Sequence, residues 1–208
     1  MKEMSREQYE SLRKDAEIKA ADQHGDKVLL LADGTYLKLF RIKRLITSAR
    51  LFPYWRRFEL NAQKLDRLGI RTLQVRDVYN LSYLRRTAVN YEPLPGKSLR
   101  DLSGLDADLV DQLGEFMSGL HDKGVYLRSL HLGNVVLTPE GELGLIDIAD
   151  MKIHGGSLSR RLRLRNYHHL CRYDQDRQVV AKHSERFLSH VDEITRPKLA
   201  RMLAGEVS

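Results

Sequence analysis

The segment Glu92-Pro93-Leu94-Pro95-Gly96 constrains the fold of this chain more than any other feature of the sequence. Two prolines and a glycine within five residues remove backbone donors and break both helices and strands. The residues before this segment have mostly strand-like patterns, and those after it have mostly helical patterns. We therefore expect an α+β fold with a β-rich part over 1–92, a mostly helical part over 93–208 and a hinge between them.

The first part of the chain predicts a polar helix over 4–20 and then a β-hairpin. Residues 27–32 are mainly aliphatic, Asp33-Gly34 is a strong turn signal, and 35–40 alternate between two faces. This alternation puts Lys38 on the same strand face as Tyr36 and Phe40. Lys38 should therefore be held by a strand rather than by a loop.

A helix is predicted to begin at Pro53, with apolar residues at helical spacing up to a terminating Gly69. Short strand-like runs follow at 72–75 and 87–91, separated by Asn80. Beyond the hinge, the pattern predicts a helix over 109–120 that Gly124 ends and two or three helices between 159 and 204. The apolar residues of the first helix are Trp55, Phe58, Ala62 and Leu65.

Two short apolar strands, 135–137 and 143–146, flank the turn sequence Thr138-Pro139-Glu140-Gly141. A hairpin brings its two ends together, so Asn134 and Asp147 should converge. An amide oxygen beside a carboxylate suits Mg²⁺, which prefers hard oxygen ligands and nucleotide phosphates. In the alternative interpretation, Asn134 only caps a turn and Asp147 is simply an exposed acid.

The net charge of +7 over 208 residues is concentrated in two segments. Residues 35–58 contain seven basic and no acidic residues, and 151–172 contain six and none. The rest of the chain has 22 basic residues against 28 acidic ones. Such segments favour an anionic ligand, although the solvated faces of arginine-rich helices have the same composition.

Other features exclude several classes of protein. The single Cys171 cannot form an internal disulfide and fits a small core residue in a reducing compartment. The charged N-terminus does not resemble a signal peptide, and no apolar run is long enough to span a bilayer, so a cytoplasmic location is expected. No zinc-ligand spacing or nucleic-acid motif occurs.

The ordered set of motifs resembles the protein-kinase-like superfamily, and most closely the bacterial lipopolysaccharide core kinases that phosphorylate Kdo or heptose. The set comprises Tyr36-Leu37-Lys38-Leu39, a following helix with Glu59, the hinge after Tyr91, the loop 127–134 and Ile146-Asp147. Asn134 lies five residues after Ser129, which is the family's spacing between the catalytic Asp and the metal-binding Asn. The resemblance covers about 25–170.

The resemblance implies a two-lobed fold, with ATP and Mg²⁺ bound between a β-rich lobe over 1–92 and a helical lobe over 93–208. Lys38 would hold the α- and β-phosphates of ATP with Glu59 as its ion-pair partner, and Glu92 would lie at the nucleotide in the hinge. Asn134 and Asp147 would hold Mg²⁺. Glu59 only flanks the apolar stripe of its helix and also fits a solvated acid.

The chain departs from the family at two places. The family's H-R-D reads Leu127-Arg128-Ser129, so the position of the catalytic Asp holds a serine, which is no base near neutral pH. His131 or Asp150 could orient the acceptor instead, although a structural role also fits His131. A glycine-rich phosphate loop is missing, because only Gly25 is present near 21–27.

The leading hypothesis is a cytoplasmic kinase that transfers phosphate from ATP to a sugar of the lipopolysaccharide core at the inner membrane surface. Its basic segments, 41–57 and 159–172, would contact the anionic glycolipid acceptor. A pseudokinase that binds nucleotide or glycolipid without turnover is the alternative, because of Ser129. A basic RNA-binding protein would need both basic segments in one continuous stripe away from the cleft.

Overall fold

The computed structural model describes residues 1–41 and 53–206, which form an α+β fold. Its largest sheet has six strands in the order β1-β6-β7-β4-β3-β2, in which only the β1–β6 pair is parallel. The helix α1, Arg6–Lys14, covers one face of this sheet. The strands are β1 Lys2–Glu3, β2 Glu17–Asp22, β3 Gly25–Leu30, β4 Tyr36–Arg41, β6 Gln74–Leu81 and β7 Arg86–Glu92.

Strand β4 has the alternation that the sequence predicts. Leu37 and Leu39 are buried in a cluster with Tyr9 and Leu29, whereas Lys38 is on the opposite face of the strand. Because β4 pairs with both β3 and β7, it is an interior strand whose register is fixed on both sides. The backbone position of Lys38 is therefore set by two hydrogen-bonded neighbours.

Helix α2, Tyr54–Arg67, begins after Pro53 and ends before Gly69, as predicted. Gly69 has a φ of 68°, the left-handed conformation that glycine adopts without cost at a helix end. One side of the helix is buried and packs against the second face of the six-stranded sheet and against the segment 148–151. The buried residues are Phe58, Asn61, Ala62 and Leu65.

The remaining strands form two smaller sheets. A four-stranded sheet has the order β5-β11-β10-β8, and β12 pairs with β9. The hairpin predicted after Asn134 is present, with Val135 opposite Leu145. The strands are β5 Arg71–Thr72, β8 Lys97–Ser98, β9 Val125–Leu127, β10 Val135–Leu137, β11 Leu143–Leu145 and β12 Met151–Ile153.

Five helices lie within 107–204 and pack around a hydrophobic core that also includes residues of α2. Since β5 from the first part of the chain pairs with β11 from the second, the two parts share a sheet as well as a core. None of the described helices has the length and apolar character needed to cross a bilayer. The five are α3 Ala107–Asp122, α4 Arg160–Cys171, α5 Asp174–Ala181, α6 Ser184–Ser189 and α7 Arg196–Ala204.

Several predicted boundaries were wrong. The helix predicted over 4–20 ends at Lys14, and 17–22 instead form the edge strand β2, because pairing with the apolar β3 outweighs the polar composition. Asn80 does not separate two strands but lies within β6, where its side chain bonds Glu3, and the chain turns at 82–85.

Two other predictions need correction. The hairpin loop between β3 and β4 has three residues rather than two, since Leu31 and Thr35 are hydrogen-bonded across it. Gly34 takes the left-handed conformation that such a loop requires. The region from 159 to 204 contains four helices instead of two or three, because short turns near 173, 183 and 190–195 interrupt the apolar stripe.

A buried histidine connects α3, α4 and β9. His121 is fully buried, and its Nε2 lies 3.1 Å from Oδ1 of Asn166, whose amide group donates to the carbonyl of Leu127 at 2.7 Å. Burial lowers the pKa of His121 to about 4. The side chain is therefore neutral in the folded protein at neutral pH.

We predict that His121 makes the folded protein less stable as the pH falls from about 6.5 to about 4. In that range the unfolded chain binds a proton at this histidine and the folded chain does not, so the free energy of unfolding should fall by about 2–3 kcal/mol. Urea denaturation at pH 7, 6, 5 and 4 measures this loss. His121→Gln should reduce the pH dependence, whereas the exposed control His168→Gln should retain it. An unchanged pH dependence in His121→Gln would contradict the assignment.

Candidate functional site

A lysine and an aspartate from distant parts of the chain are in direct contact. Nζ of Lys38 donates to Oδ1 of Asp147 at 2.6 Å, although 109 residues separate the two positions in sequence. The Lys38 side chain is 21% exposed and that of Asp147 is 53% exposed, so solvent reaches the pair. The structure thus brings together the two residues that the resemblance places at the phosphates and the metal.

Aromatic rings surround the buried part of Lys38. Its Nζ lies 5.1 Å from the ring centre of Phe58 on α2 and 5.9 Å from that of Phe40 on β4. Tyr91 packs edge-on against Phe58 at 5.3 Å and stacks with Tyr36 at 5.6 Å. These contacts limit the rotamers of Lys38 and place its ammonium group near two aromatic faces. The sequence analysis missed this group, because Phe58 and Tyr91 read only as apolar positions of a helix and a strand.

Asp147 has an unusual backbone conformation. It follows β11 directly, and its φ of 53° lies in the left-handed region, which costs a non-glycine residue about 1 kcal/mol or more. The neighbouring Ile146 N–H donates to the carbonyl of Asn134 at 3.0 Å. This hydrogen bond closes the hairpin and confirms that Asn134 and the residues around Asp147 converge.

Asn134 ends a short 3-10 turn and is almost completely buried. Its amide Nδ2 donates to the carbonyl of Ser129 at 2.9 Å, and its side-chain oxygen accepts no hydrogen bond from the described residues. That oxygen and the second oxygen of Asp147 are hard donors of the kind that Mg²⁺ takes together with phosphates and water. The residues present therefore fit a magnesium–nucleotide site.

The protein could also bind a metal ion through its own side chains alone, without a nucleotide. Within 1–41 and 53–206, no three His, Cys, Asp or Glu side chains are grouped closely enough to hold an ion.

Burial raises the pKa of the Cys171 thiol to about 12, so this cysteine is protonated and unreactive at neutral pH.

The loop between β9 and β10 contains the residues expected at the catalytic position. Ser129 is exposed in a turn, and Nη1 of Arg128 lies 3.5 Å from Oδ1 of Asp150. Asp150 lies three residues after Asp147 in the sequence. Arg128 and Asp150 thus form a partly exposed ion pair between the loop and the segment after the hairpin, and Ser129 is exposed beside Arg128.

His131 is packed into the protein rather than displayed on the loop. Its ring centre lies 5.5 Å from that of Tyr173, and its Nδ1 is buried without a hydrogen-bond partner among the described residues. Burial, and secondly the charge of Arg100, lower the pKa of His131. The ring is therefore neutral near pH 7. Its packing favours the structural role that the sequence analysis left open.

Glu59 does not form the expected ion pair with Lys38. Among the described residues the ion-pair partner of Lys38 is Asp147, and Glu59 lines a groove elsewhere on α2. The reason is helical geometry, because one residue corresponds to a rotation of about 100° and Phe58 already occupies the direction of Lys38. The polar residue of α2 that faces the site region is Asn61, which sequence reasoning missed.

Asn61 connects α2 to the segment after Asp147. Its Nδ2 donates to the carbonyls of Ile148 at 2.7 Å and Met151 at 3.1 Å, and the side chain is buried. The Ile148 carbonyl also accepts the backbone N–H of Met151, so Asn61 adds a second donor to a main-chain turn that is already hydrogen-bonded and ties this turn to α2. An asparagine at a core position of an amphipathic helix was the available sequence signal for this contact.

Glu92 forms an ion pair with Arg76 at 2.8 Å across β6 and β7. It lines, with Glu59, an open groove of about 1180 Å³ between the end of α2, β5–β6 and the tip of the β10–β11 hairpin. Lys38, Asn134 and Asp147 do not line this groove. The structure thus separates Glu59 and Glu92 from the other predicted site residues.

The turn between β2 and β3 contains Gly25, the single glycine of the region where the resemblance implies a glycine-rich loop. Gly25 adopts a φ of 99°, and the guanidinium of Arg86 donates to the carbonyls of His24 and Asp26. Two main-chain contacts to one arginine hold the turn at the end of the sheet.

The second basic segment forms part of α4, whereas much of the first, 42–52, lies outside the described residues. Arg161, Arg165, His168 and Arg172 are exposed and spaced so that they share one side of α4, which we call the α4 basic stripe. No described carboxylate forms an ion pair with this stripe. Next to it, Tyr126 on β9 contacts His169, which places the stripe alongside the strand that leads into Arg128.

The sequence matches no protein-family model, and it has no significant match among curated proteins.

We predict that Asn61→Ala lowers the free energy of unfolding by about 1–3 kcal/mol, because it removes two buried hydrogen bonds that join α2 to the segment after Asp147. Urea denaturation of the purified protein measures the loss. Gln63→Ala, on the exposed side of the same helix, is the matched control and should change stability by less than about 0.5 kcal/mol. Equal losses in both variants would show that the hydrogen bonds of Asn61 have no special role.

Proposed function

We propose that this protein is a kinase-like phosphotransferase that transfers the γ-phosphate of ATP to a sugar hydroxyl of the lipopolysaccharide core. In this proposal the six-stranded sheet with α2 acts as an N-lobe and the helices after the hinge act as a C-lobe, with the nucleotide between them. The observation that carries the proposal is the 2.6 Å contact between Lys38 on the sheet and Asp147 at the hairpin end.

The Lys38 side chain supports the proposal because it is cationic and because neighbouring aromatic rings restrict its conformation. Its ammonium group is held by Phe58 and Phe40 and keeps only partial exposure, so its position is defined before a ligand arrives. A fixed cation can neutralise phosphate oxygens without the cost of ordering a free side chain. In the unliganded protein Asp147 pairs with this cation, and phosphate oxygens would take over that role.

Asn134 and Asp147 would hold Mg²⁺, which when bound neutralises charge on the β- and γ-phosphates. Their own contribution is geometric. The hairpin hydrogen bond between Ile146 and Asn134 fixes their separation, and the bond from Asn134 to the Ser129 carbonyl links the pair to the loop where the acceptor would bind. Phosphoryl transfer depends mainly on such positioning.

Ser129 occupies the position where the family has its catalytic Asp. Its side chain is exposed and can donate a hydrogen bond to an acceptor, but it cannot remove a proton near neutral pH. This residue favours the second candidate, a pseudokinase that binds nucleotide or glycolipid without turnover. The choice between the two depends on measured transfer.

The α4 basic stripe supports an anionic acceptor, because its cations are exposed and not neutralised by described carboxylates. A phosphorylated glycolipid at the cytoplasmic face of the inner membrane has the required charge. A stripe next to the Arg128 loop favours an acceptor near the site over RNA bound elsewhere.

Transfer of radiolabelled phosphate from ATP to a core oligosaccharide tests the catalytic proposal. We predict weak transfer by the wild type and an increase of up to about 10²-fold in Ser129→Asp, which restores a carboxylate at the acceptor hydroxyl. Asp147→Ala should abolish metal-dependent ATP binding, measured by calorimetry, because it removes the only carboxylate assigned to the metal.

The outcomes separate the candidates. ATP binding without transfer in any variant would favour the pseudokinase. Robust wild-type transfer that falls in Ser129→Asp would show that another group orients the acceptor, with Asp150 the next residue to replace. The absence of ATP binding in the wild type would refute the kinase and a nucleotide-binding pseudokinase.

We also predict that the protein binds anionic vesicles and that Arg165→Ser/Arg172→Ser weakens this binding, because two exposed cations are removed from one surface. Cosedimentation with phosphatidylcholine vesicles, with and without phosphatidylglycerol, measures it, and binding should weaken as salt increases. Lys64→Ser/Arg67→Ser on α2 removes the same charge elsewhere and is the control. Equal loss in both double variants, or equal binding to neutral and anionic vesicles, would contradict this role of the α4 basic stripe.

A further inference from the structure

A buried carboxylate lies behind the loop that contains Ser129 and has no part in the proposed site. Asp176 on α5 is 1% exposed and accepts two hydrogen bonds from Arg100, at 3.0 and 2.6 Å. Its Oδ2 also accepts the backbone N–H of Leu132 at 2.9 Å. One side chain thus holds both an arginine from the segment after the hinge and the main chain of the loop.

Two helices hold the loop, α4 through Asn166 and α5 through Asp176, and one further hydrogen bond lies within the loop. Leu132 begins the 3-10 turn that ends at Asn134, and the Asn134 side chain bonds the carbonyl of Ser129. At the start of the loop, Asn166 on α4 bonds the carbonyl of Leu127. The hydrogen bond from Leu132 to Asp176 lies between Ser129 and Asn134, so it acts on the part of the loop that carries the site residues.

Arg100 is itself held in place. Its guanidinium lies 5.0 Å from the ring centre of Tyr173, and the ring centre of His131 also lies 5.5 Å from that of Tyr173. A Cβ at Gly133 would lie 3.0 Å from Nδ1 of His131, so the loop packs tightly against this ring. Arg100, His131, Tyr173 and Asp176 therefore form one packed cluster, which we call the loop clamp.

A buried ion pair adds little net stability, because removing two charges from water offsets their attraction. Its value is geometric, since a bidentate guanidinium allows only one orientation of the carboxylate. That orientation directs Oδ2 to the N–H of Leu132. Because the carboxylate is charged, the hydrogen bond that it accepts from Leu132 N–H is stronger than one to a neutral acceptor.

We propose that Asp176, oriented by Arg100, is a positioning residue that fixes the 129–134 loop so that Asn134 and the acceptor site keep their spacing. The consequence for catalysis rests on the proposed phosphotransfer, whereas the consequence for the loop does not. Asp176→Asn should keep the size of the side chain but lose the charge and one arginine bond. Arg100→Lys should keep the charge but lose the bidentate geometry.

Amide hydrogen exchange measured by NMR tests the effect on the loop. In Asp176→Asn and Arg100→Lys we expect the amides of 130–134 to exchange at least about tenfold faster, with unchanged exchange in β9, β12 and α3. Glu142→Gln breaks the exposed ion pair between Arg71 and Glu142 and is the control. A uniform increase over α4 and α5, or no increase at 130–134 in either variant, would overturn the proposal.

Phosphate transfer provides the second readout. Both clamp variants should lower kcat about 10- to 100-fold, because a small displacement of a positioned group has a large effect on rate, while KM for ATP should change less. Equal changes in kcat and KM would show a general loss of structure and count against positioning. If the wild type transfers no phosphate, the proposed function fails, and the exchange result alone decides whether the loop clamp exists.

Discussion

The arrangement of the candidate site depends on helix α2, because it is the element that packs against both the sheet and the hairpin end. Phe58 contacts Phe40 and Tyr91 on the sheet and supports Lys38, whereas Asn61 bonds the main chain at Ile148 and Met151. If α2 moved, Lys38 and Asp147 would separate. The ion pair between them is half exposed, so it contributes little to folding and instead reports how well the surrounding packing positions the two groups.

The site follows from this packing. The sheet fixes the backbone of Lys38, the hairpin fixes Asn134 and Asp147, and α2 sets the distance between the two supports. The loop clamp adds a restraint from the opposite side through Asp176 and Leu132. The polar side chains are thus positioned by their packed neighbours before any ligand binds, as the proposed phosphate site requires.

Much of this could be predicted from the sequence. The alternation around Lys38, the turn at Gly34 and the hairpin after Asn134 are local patterns, and local patterns determine strand faces and turns. The end of the first helix at Lys14 was not predictable in this way, because β2 exists only through pairing with β3. The number of helices after 159 likewise depends on tertiary packing.

The same contrast between local sequence pattern and tertiary packing applies to the site residues. Lys38, Asn134 and Asp147 lie on elements whose geometry the sequence defines, and the structure brings them together. Glu59 and Phe58 differ by one helical position, and only packing decides which of them faces Lys38. Asn61 and Asp176 act through hydrogen bonds to residues 87 and 44 positions away, so no local pattern could have identified their partners.

The central claim is that a metal–nucleotide complex binds where Lys38 and Asp147 meet. NMR spectra recorded with ATP and paramagnetic Mn²⁺ in place of Mg²⁺ test it directly, because the ion broadens signals of nearby amides. We predict selective broadening at 37–39, 133–135 and 146–148, with the amides of Asp66 and Glu140 in the groove beside α2 unaffected. Broadening centred on that groove, or no selective broadening, would contradict the claim.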